Sequence, residues 1–182
     1  MALAQGKLEE LKKKILFTFL LLIVFRMAAQ VPVPGVDATA LKSYFSEGGA
    51  GIFDLINTFS GGAFKRFSVL ALGIMPYITT SIIFSLLGEV VPQIQELQED
   101  SEGHKKIQKW TRYATVILCC VQGYGMAAMF ESLKSPAGMP IIPEPGMLFR
   151  LTTMITLAAG TMFLMWLGER ITEYGLENGV SL

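Results

Sequence analysis

The sequence predicts an all-α membrane protein, a polytopic bundle of four transmembrane helices with one short re-entrant half-helix. Of its 182 residues, 52% are apolar and only 16% are charged, whereas a soluble domain carries about 25% charged residues. The mean hydropathy is +0.48. Three runs carry no Asp, Glu, Lys or Arg, and each is long enough to cross a hydrocarbon core of about 30 Å as a helix: 67–88, 113–130 and 151–168.

The composition also argues against several classes of protein. The 15 basic and 15 acidic residues cancel, which disfavours a nucleic-acid-binding protein with a net basic face. One histidine and the adjacent Cys119 and Cys120 cannot supply a four-ligand zinc site or a disulfide framework. No metalloprotease, serine-hydrolase or phosphate-loop motif occurs in the sequence. We therefore expect no enzyme activity, no catalytic residue, no metal site and no cofactor.

The first predicted span, 15–33, is interrupted only by Arg26. An alternative is a cleaved secretory signal, because three lysines precede the apolar run and Ala28-Ala29-Gln30 resembles a cleavage site. Arg26 lies between the apolar core and that site, and two prolines follow closely, which disfavours cleavage. A long cationic side chain at the outer end of a span can instead extend to the lipid headgroups.

Basic residues in the loops predict the orientation. With a cytoplasmic N-terminus, nine Lys and Arg residues lie inside and five lie outside, which favours both termini in the cytoplasm. The predicted segments are a cytoplasmic amphipathic N-terminus at 1–14, spans at 15–33, 67–88, 110–131 and 148–170, outside loops at 34–66 and 132–147, a cytoplasmic loop at 89–109, and a cytoplasmic linker at 171–182.

The first outside loop contains an apolar segment, about 50–60, that is too short to cross a bilayer. Its apolar residues recur at i, i+3, i+4 and i+7, so one face of a two-turn helix is apolar. Glycines at both ends make the connecting backbone permissive. The segment is either a hinged half-helix or a short helix packed permanently under a loop. It comprises Ile52, Phe53, Leu55, Ile56 and Phe59, with Gly49, Gly51, Gly61 and Gly62 as hinges.

The second span carries a predicted kink. Pro76 lies near its centre and cannot donate to the carbonyl of Leu72, and Gly73 relaxes the same turn. Ile74 and Ile78 are four residues apart, so they project from one face at mid-depth. They could line a hydrophobic constriction or simply pack against neighbouring helices, and the residues alone favour packing.

Polar side chains are scarce in the apolar parts of the spans. Apart from Arg26 no ionisable residue lies there, whereas ion-coupled transporters usually place carboxylates or histidines in such positions. Gln122 is the strongly polar side chain of the third span, and we expect it to hydrogen-bond to another helix.

Longer motifs resemble the SecY family of bacterial protein-conducting channels. They stand in the family's order and spacing, and the resemblance extends over nearly all of the chain: RMAAQVPVPG at 26–35, FSGGAFKRFS at 59–68, ALGIMPYIT at 71–79, KWTRY at 109–113, GTMFLMWLGERIT at 160–172 and ENGVSL at 177–182. The resemblance implies the N-terminal part of an inverted-repeat channel fold in the bacterial cytoplasmic (inner) membrane.

The resemblance also implies roles for particular residues. The segment 52–59 corresponds to the plug that closes the outer funnel, and Ile74 and Ile78 correspond to two members of the hydrophobic pore ring. One side of the lateral gate, through which signal sequences reach lipid, corresponds to Ile82, Ile83 and Ser85 of the second span with Gln122 of the third.

The implied partners are SecE and SecG, the SecA motor or a translating ribosome, signal sequences and translocating polypeptides, and the lipid bilayer. Nucleic acid would be met only through the ribosome. The family has ten spans, whereas this sequence stops at Leu182, so we expect an N-terminal fragment, and Glu177 stands where the family usually has glycine. The alternatives are a non-conducting four-span scaffold and a small secondary transporter.

Overall fold

The computed structural model describes residues 2–47, 55, 57–58, 60–134, 138–176 and 179. Within these ranges the regular structure is helical, apart from isolated bridges that pair Pro32 with Ser68 and Lys134 with Pro140. The helices are α1 (Ala2–Ala28), α2 (Ala38–Glu47), α3 (Met75–Val90), α4 (Pro92–Glu99), α5 (Ser101–Ser132) and α6 (Met147–Tyr174).

Two helices are long and apolar enough to cross a membrane, Glu102–Ser132 and Met147–Tyr174. The pair Met75–Val90 and Pro92–Gln98 passes the same test as one span, bent by 112°. Helix α1 does not, because Lys12–Lys14 and Arg26 place more than two charges in any 18-residue window of it. The described residues therefore supply two or three apolar spans, and the fourth span stays a prediction.

The structure corrects the helix predicted across 67–88. Residues 60–74 form a succession of turns, and α3 begins only at Met75. Gly73 has a left-handed φ of 60°, and Pro76 lies in the first turn of α3, where its fixed φ is favourable and its missing N–H costs nothing. Gly73 and Pro76 therefore start a helix and do not kink one.

The segment 89–109, predicted as a cytoplasmic loop, is mostly helical. The chain bends at Val91, and α4 folds back so that the Gln98 side-chain amide donates to the Phe84 carbonyl at 3.2 Å. Asp100 caps α5 by accepting from the Gly103 N–H at 3.2 Å. Helix α2, within the predicted loop at 34–66, was also not predicted, although Asp37 caps it by accepting from the backbone N–H of Thr39 at 2.8 Å.

The core centres on two fully buried aromatic rings, Phe67 and Phe130, whose centroids stack at 4.0 Å. The turn that carries Phe67 is paired with the chain after α1. The Val33 N–H donates to the Phe67 carbonyl, and the Val69 N–H donates to the Val31 carbonyl, both at 2.9 Å. This pairing, which we call the anchor (31–33 with 67–69), ties the end of α1 to the segment that leads into α3.

Helices α5 and α6 pack along each other and are joined by ion pairs near both ends. At one end the Glu131 carboxylate accepts from Arg150 Nε and Nη2 at 2.9 and 2.7 Å and from the Gly146 N–H at 3.0 Å. At the other end Arg112 Nη2 lies 2.6 Å from Glu169 Oε1. Helix α1 packs against α6 through a buried cluster formed by Leu21, Leu167 and Ile171.

Candidate functional site

The two isoleucines singled out by the sequence lie at the very start of α3. Ile74 occupies the N-cap position of the helix, and the Ile78 N–H donates to the Ile74 carbonyl at 3.1 Å. The two side chains therefore stand one turn apart on the same face, and both are partly buried. The branched side chain of isoleucine has a restricted χ1 angle, so this pair forms an apolar surface with little rotational freedom.

The start of α3 packs against α6 through contacts that the sequence did not predict. The buried Thr161 hydroxyl donates to the Gly73 carbonyl at 3.2 Å. One residue earlier, Gly160 lies so close to the Val69 carbonyl that a Cβ atom would collide with it. Threonine and glycine are common in packed membrane helices, so the sequence does not distinguish these two from others of their kind. We call the contact of Gly160 and Thr161 with residues 69–73 the seat.

The predicted gate residues lie on the surface of α3 and on α5. Ile82 and Ile83 are 54% and 44% exposed, Ser85 is exposed, and Gln122 on α5 is half-buried. The exposed apolar side chains of α3 extend along its whole length: Met75, Ile82, Ile83, Leu86, Leu87 and Val90. The hydrogen bond expected of Gln122 stays a prediction.

Most of the predicted plug lies outside the described residues: Ile52, Phe53, Ile56 and Phe59, with the hinge residues Gly49 and Gly51. Leu55 is helical, and 63% of its surface is exposed. The two hinge glycines that follow are described, and both have left-handed backbone, with φ of 60° at Gly61 and 90° at Gly62. Residues other than glycine rarely adopt this backbone conformation.

A hydrogen-bonded turn surrounds these two glycines. The Asn57 carbonyl accepts from the Gly62 N–H at 2.9 Å, and the Asn57 side-chain oxygen accepts from the Lys65 N–H at 3.0 Å. The Ser60 hydroxyl accepts from the Phe64 N–H at 3.1 Å. The two bonds of Asn57 join the N-terminal side of the glycine pair to Gly62 and Lys65, so the turn is closed across the hinge, next to the anchor.

Arg26 contacts this hinge. Its Nη1 donates to the Gly61 carbonyl at 2.8 Å, across 35 residues of sequence. The sequence predicted instead that the guanidinium extends to the lipid headgroups. The contact with Gly61 was not predicted, because periodicity carries no information about residues 35 positions apart.

Few groups suited to metal binding or redox chemistry come together. Among the described residues no three His, Cys, Asp or Glu side chains lie close enough to hold a metal ion. Cys119 is buried, and Cys120 is partly buried beside it; both are free thiols.

Comparison with known proteins places these features in a family context. The family profile described as SecY matches residues 68–182. The chain is 44% identical over 180 residues to the protein translocase subunit SecY of Buchnera aphidicola subsp. Acyrthosiphon kondoi, covering 98% of this chain and 50% of the relative. It is equally identical over 180 residues to that subunit of Escherichia coli strain K12, covering 98% of this chain and 40% of the relative.

The fold has counterparts among solved structures. Sec61 in the canine ribosome–channel complex from the endoplasmic reticulum superposes with a TM-score of 0.63 at 20% identity, covering 94% of this chain and 35% of that one. A structure described as a protein-conducting channel gives the same TM-score and coverage. The chain thus spans half or less of the length of the relatives that it matches.

Proposed function

Since the chain belongs to the SecY family, we propose that it supplies the plug, two members of the pore ring and one side of the lateral gate to a protein-conducting channel. That channel would move secretory proteins across the bacterial inner membrane and release membrane proteins into it. The observation that carries the proposal is the course of residues 60–78: two left-handed glycines, the turn at 67–69 that pairs with 31–33 in the anchor, and then Ile74 and Ile78 at the start of α3.

The proposed membrane arrangement has four spans with both termini in the cytoplasm. Helices α5 and α6 would form two of them, the bent pair of α3 and α4 a third, and the apolar part of α1 the first. The packing of α1 on α6 supports this arrangement, because Leu21 of α1 lies against Leu167 and Ile171 of α6. In this position the apolar part of α1 runs beside α6, which is itself a proposed span.

The proposed seal is hydrophobic. Ile74 and Ile78 would meet side chains from the rest of the channel around the translocating polypeptide, and the plug would close the funnel when no polypeptide is present. Hydrated ions are excluded from such a constriction because apolar side chains offer no replacement for the ions' water. The seat formed by Gly160 and Thr161 supports this role, since it fixes the backbone from which Ile74 projects.

The proposed gate lies on α3 and α5. An apolar signal sequence would pack against Ile82 and Ile83, which are exposed, with Ser85 and Gln122 nearby as polar residues. The energy for movement would come from SecA or a translating ribosome, and SecE and SecG would complete the channel. We propose no catalytic step and no cofactor for this chain.

The test is photocrosslinking from position 78 in native membranes with a stalled secretory polypeptide. A fusion in which this chain replaces the matching 180 residues of the Escherichia coli relative would carry the photoreactive residue in place of Ile78. We expect adducts with the stalled polypeptide, because the proposed pore ring surrounds it. The same photoreactive residue in place of Ile155, which is 69% exposed on α6, is the matched control and should give none.

Adducts from position 78 only with other membrane helices, while export is active, would contradict the channel role and favour a non-conducting scaffold. Equal crosslinking to the stalled polypeptide from positions 78 and 155 would likewise remove the support for a path along Ile78.

A further inference from the structure

The second half of α3 is held by a side chain from α4. The chain bends by 112° between the two helices, so α4 returns beside α3. Gln98 Nε2, near the end of α4, donates to the Phe84 carbonyl at 3.2 Å across 14 residues of sequence. In the α-helical pattern this carbonyl also accepts from the N–H four residues later. Because a carbonyl oxygen has two lone pairs, the bond from Gln98 adds to those of the helix without replacing one.

Gly88 makes room for this contact. It is a buried residue of α3, one turn after Phe84, and a Cβ atom at its position would overlap the side-chain amide of Gln98. Alanine favours an α-helix more than glycine does, so helix propensity gives no reason for a glycine here. The close approach of the Gln98 amide does.

The same segment of α4 is also held on α5. A Cβ atom at Gly103 would collide with the Leu97 carbonyl, so the first turn of α5 lies directly against the residue that precedes Gln98. Asp100 accepts from the N–H of the same glycine at 3.2 Å. Gln98 therefore connects α3 with α5, the two helices that carry the proposed gate residues.

The Phe84 carbonyl belongs to the turn of α3 that carries the gate residues. Ile82, Ile83 and Ser85 are its neighbours in sequence, and all three are exposed. We call this turn, 82–85, the gate turn. The bond from Gln98 ties the gate turn to α4 and, through α4, to α5. Movement of the gate turn relative to α5 breaks this bond, so the bond opposes that movement.

We propose that Gln98 is a positioning residue that holds the gate turn in its resting position relative to α5, and so sets how selectively the gate accepts signal sequences. The proposal rests on the proposed function of the chain as a channel subunit. A signal sequence shifts the gate turn only by the difference in its affinity for the two positions. A strongly apolar signal sequence overcomes the bond, whereas a weakened one does so rarely. Loss of the bond should therefore favour weakened signal sequences and leave intact ones unchanged.

The test uses the fusion with the Escherichia coli relative, assembled with its partner subunits. Two reporters are compared, one with an intact signal sequence and one with a charge placed in the apolar core of its signal. Gln98→Ala should raise export of the weakened reporter by about two- to tenfold, the range expected for one neutral hydrogen bond, and leave export of the intact reporter unchanged. The matched control is Gln95→Ala, which removes an exposed amide from the same helix.

Gly88→Ala tests the same contact from the other side. The added methyl group displaces the Gln98 amide, so this variant should also raise export of the weakened reporter. Combined with Gln98→Ala it should add nothing, because the bond is already lost; non-additive effects identify residues that share one contact. Gly125→Ala, where no atom lies within 4 Å of the added carbon, is the control. Additive effects of Gly88→Ala and Gln98→Ala would contradict the shared contact.

Assembly is measured first, as the amount of intact complex extracted from the membrane. If Gln98→Ala does not assemble, Gln98→Met decides, since it removes the donor and keeps an unbranched side chain. Failure of both to assemble, or an equal loss of export for the two reporters, would show that Gln98 acts only through stability and would overturn the proposal. So would equal selectivity of Gln98→Ala and Gln95→Ala.

The crosslinking from position 78 separates the two levels of the argument. If position 78 reaches the stalled polypeptide and Gln98→Ala behaves like Gln95→Ala, Gln98 has no positioning role and the channel role stands. If position 78 does not reach the polypeptide while export is active, the channel role fails, and with it the role of Gln98.

Discussion

Gly160 lies where α6 meets the segment that leads into α3. Its Cα faces the Val69 carbonyl without space for a further carbon atom, and the neighbouring Thr161 holds the Gly73 carbonyl. A sequence pattern identifies glycine as a small residue in a membrane helix but does not tell which backbone approaches it. The consequence for stability can be tested with a matched pair of glycines.

Gly160→Ala should destabilise the protein by about 1–3 kcal/mol, because the added methyl group forces α6 away from the turn at 69–70. Gly125→Ala on α5 is the control, since no atom lies within 4 Å of the position of its Cβ, and it should be neutral or stabilising by up to about 1 kcal/mol. Thermal unfolding of the detergent-solubilised fusions gives both values. Equal melting temperatures for the two variants would show that the seat does not contribute.

At the scale of elements, the ion pairs between α5 and α6 differ in their surroundings. Glu131 has a side chain only 9% exposed and accepts three hydrogen bonds, from Arg150 and from the N–H of Gly146 just before α6. The side chains of Arg112 and Glu169, at the other end, are 45% and 42% exposed. Exposed pairs contribute little to stability, because water and salt screen them.

Glu131→Gln should lower the melting temperature of the fusion more than Glu169→Gln does. The first change leaves the Arg150 guanidinium facing a neutral amide at the start of α6, and the second leaves Arg112 free to meet water. Parallel thermal unfolding of the two variants at one salt concentration is the measurement. A larger loss for Glu169→Gln would contradict this reading of the two pairs.

The elements also show where sequence reasoning succeeded. The apolar runs at 110–131 and 148–170 predicted helices, and α5 and α6 contain these residues and are long and apolar enough to cross a membrane, because hydropathy and charge are local properties. The start of α3 was misplaced, since the turns at 60–74 are held by contacts with Val33 and Thr161. The contact between Arg26 and Gly61 was missed for the same reason, because their separation of 35 residues leaves no periodic signal.

At the scale of the whole molecule, the proposed channel should depend on the apolar character of the α3 start. Ile78→Asn places an amide at the proposed constriction, where it would hydrogen-bond to water and lower the barrier to ions. We expect increased ion conductance and export of reporters with weakened signal sequences. Ile155→Asn, at the exposed control position on α6, should change neither. Conductance unchanged by Ile78→Asn would count against the pore-ring assignment.

The anchor also constrains the order in which the molecule takes shape during synthesis. Phe67 has a strained φ of 45°. The hydrogen bonds of the anchor can form as soon as residue 69 has been made, but the stacking partner Phe130 is synthesised 63 residues after Phe67, so the buried ring gains that contact only when α5 has been made. Helix α1 waits longer, because its partners Leu167 and Ile171 lie on α6. At about 5–20 residues per second, the proposed first span lacks its contacts with α6 for on the order of ten seconds. During that interval its apolar face is available to whatever assists insertion.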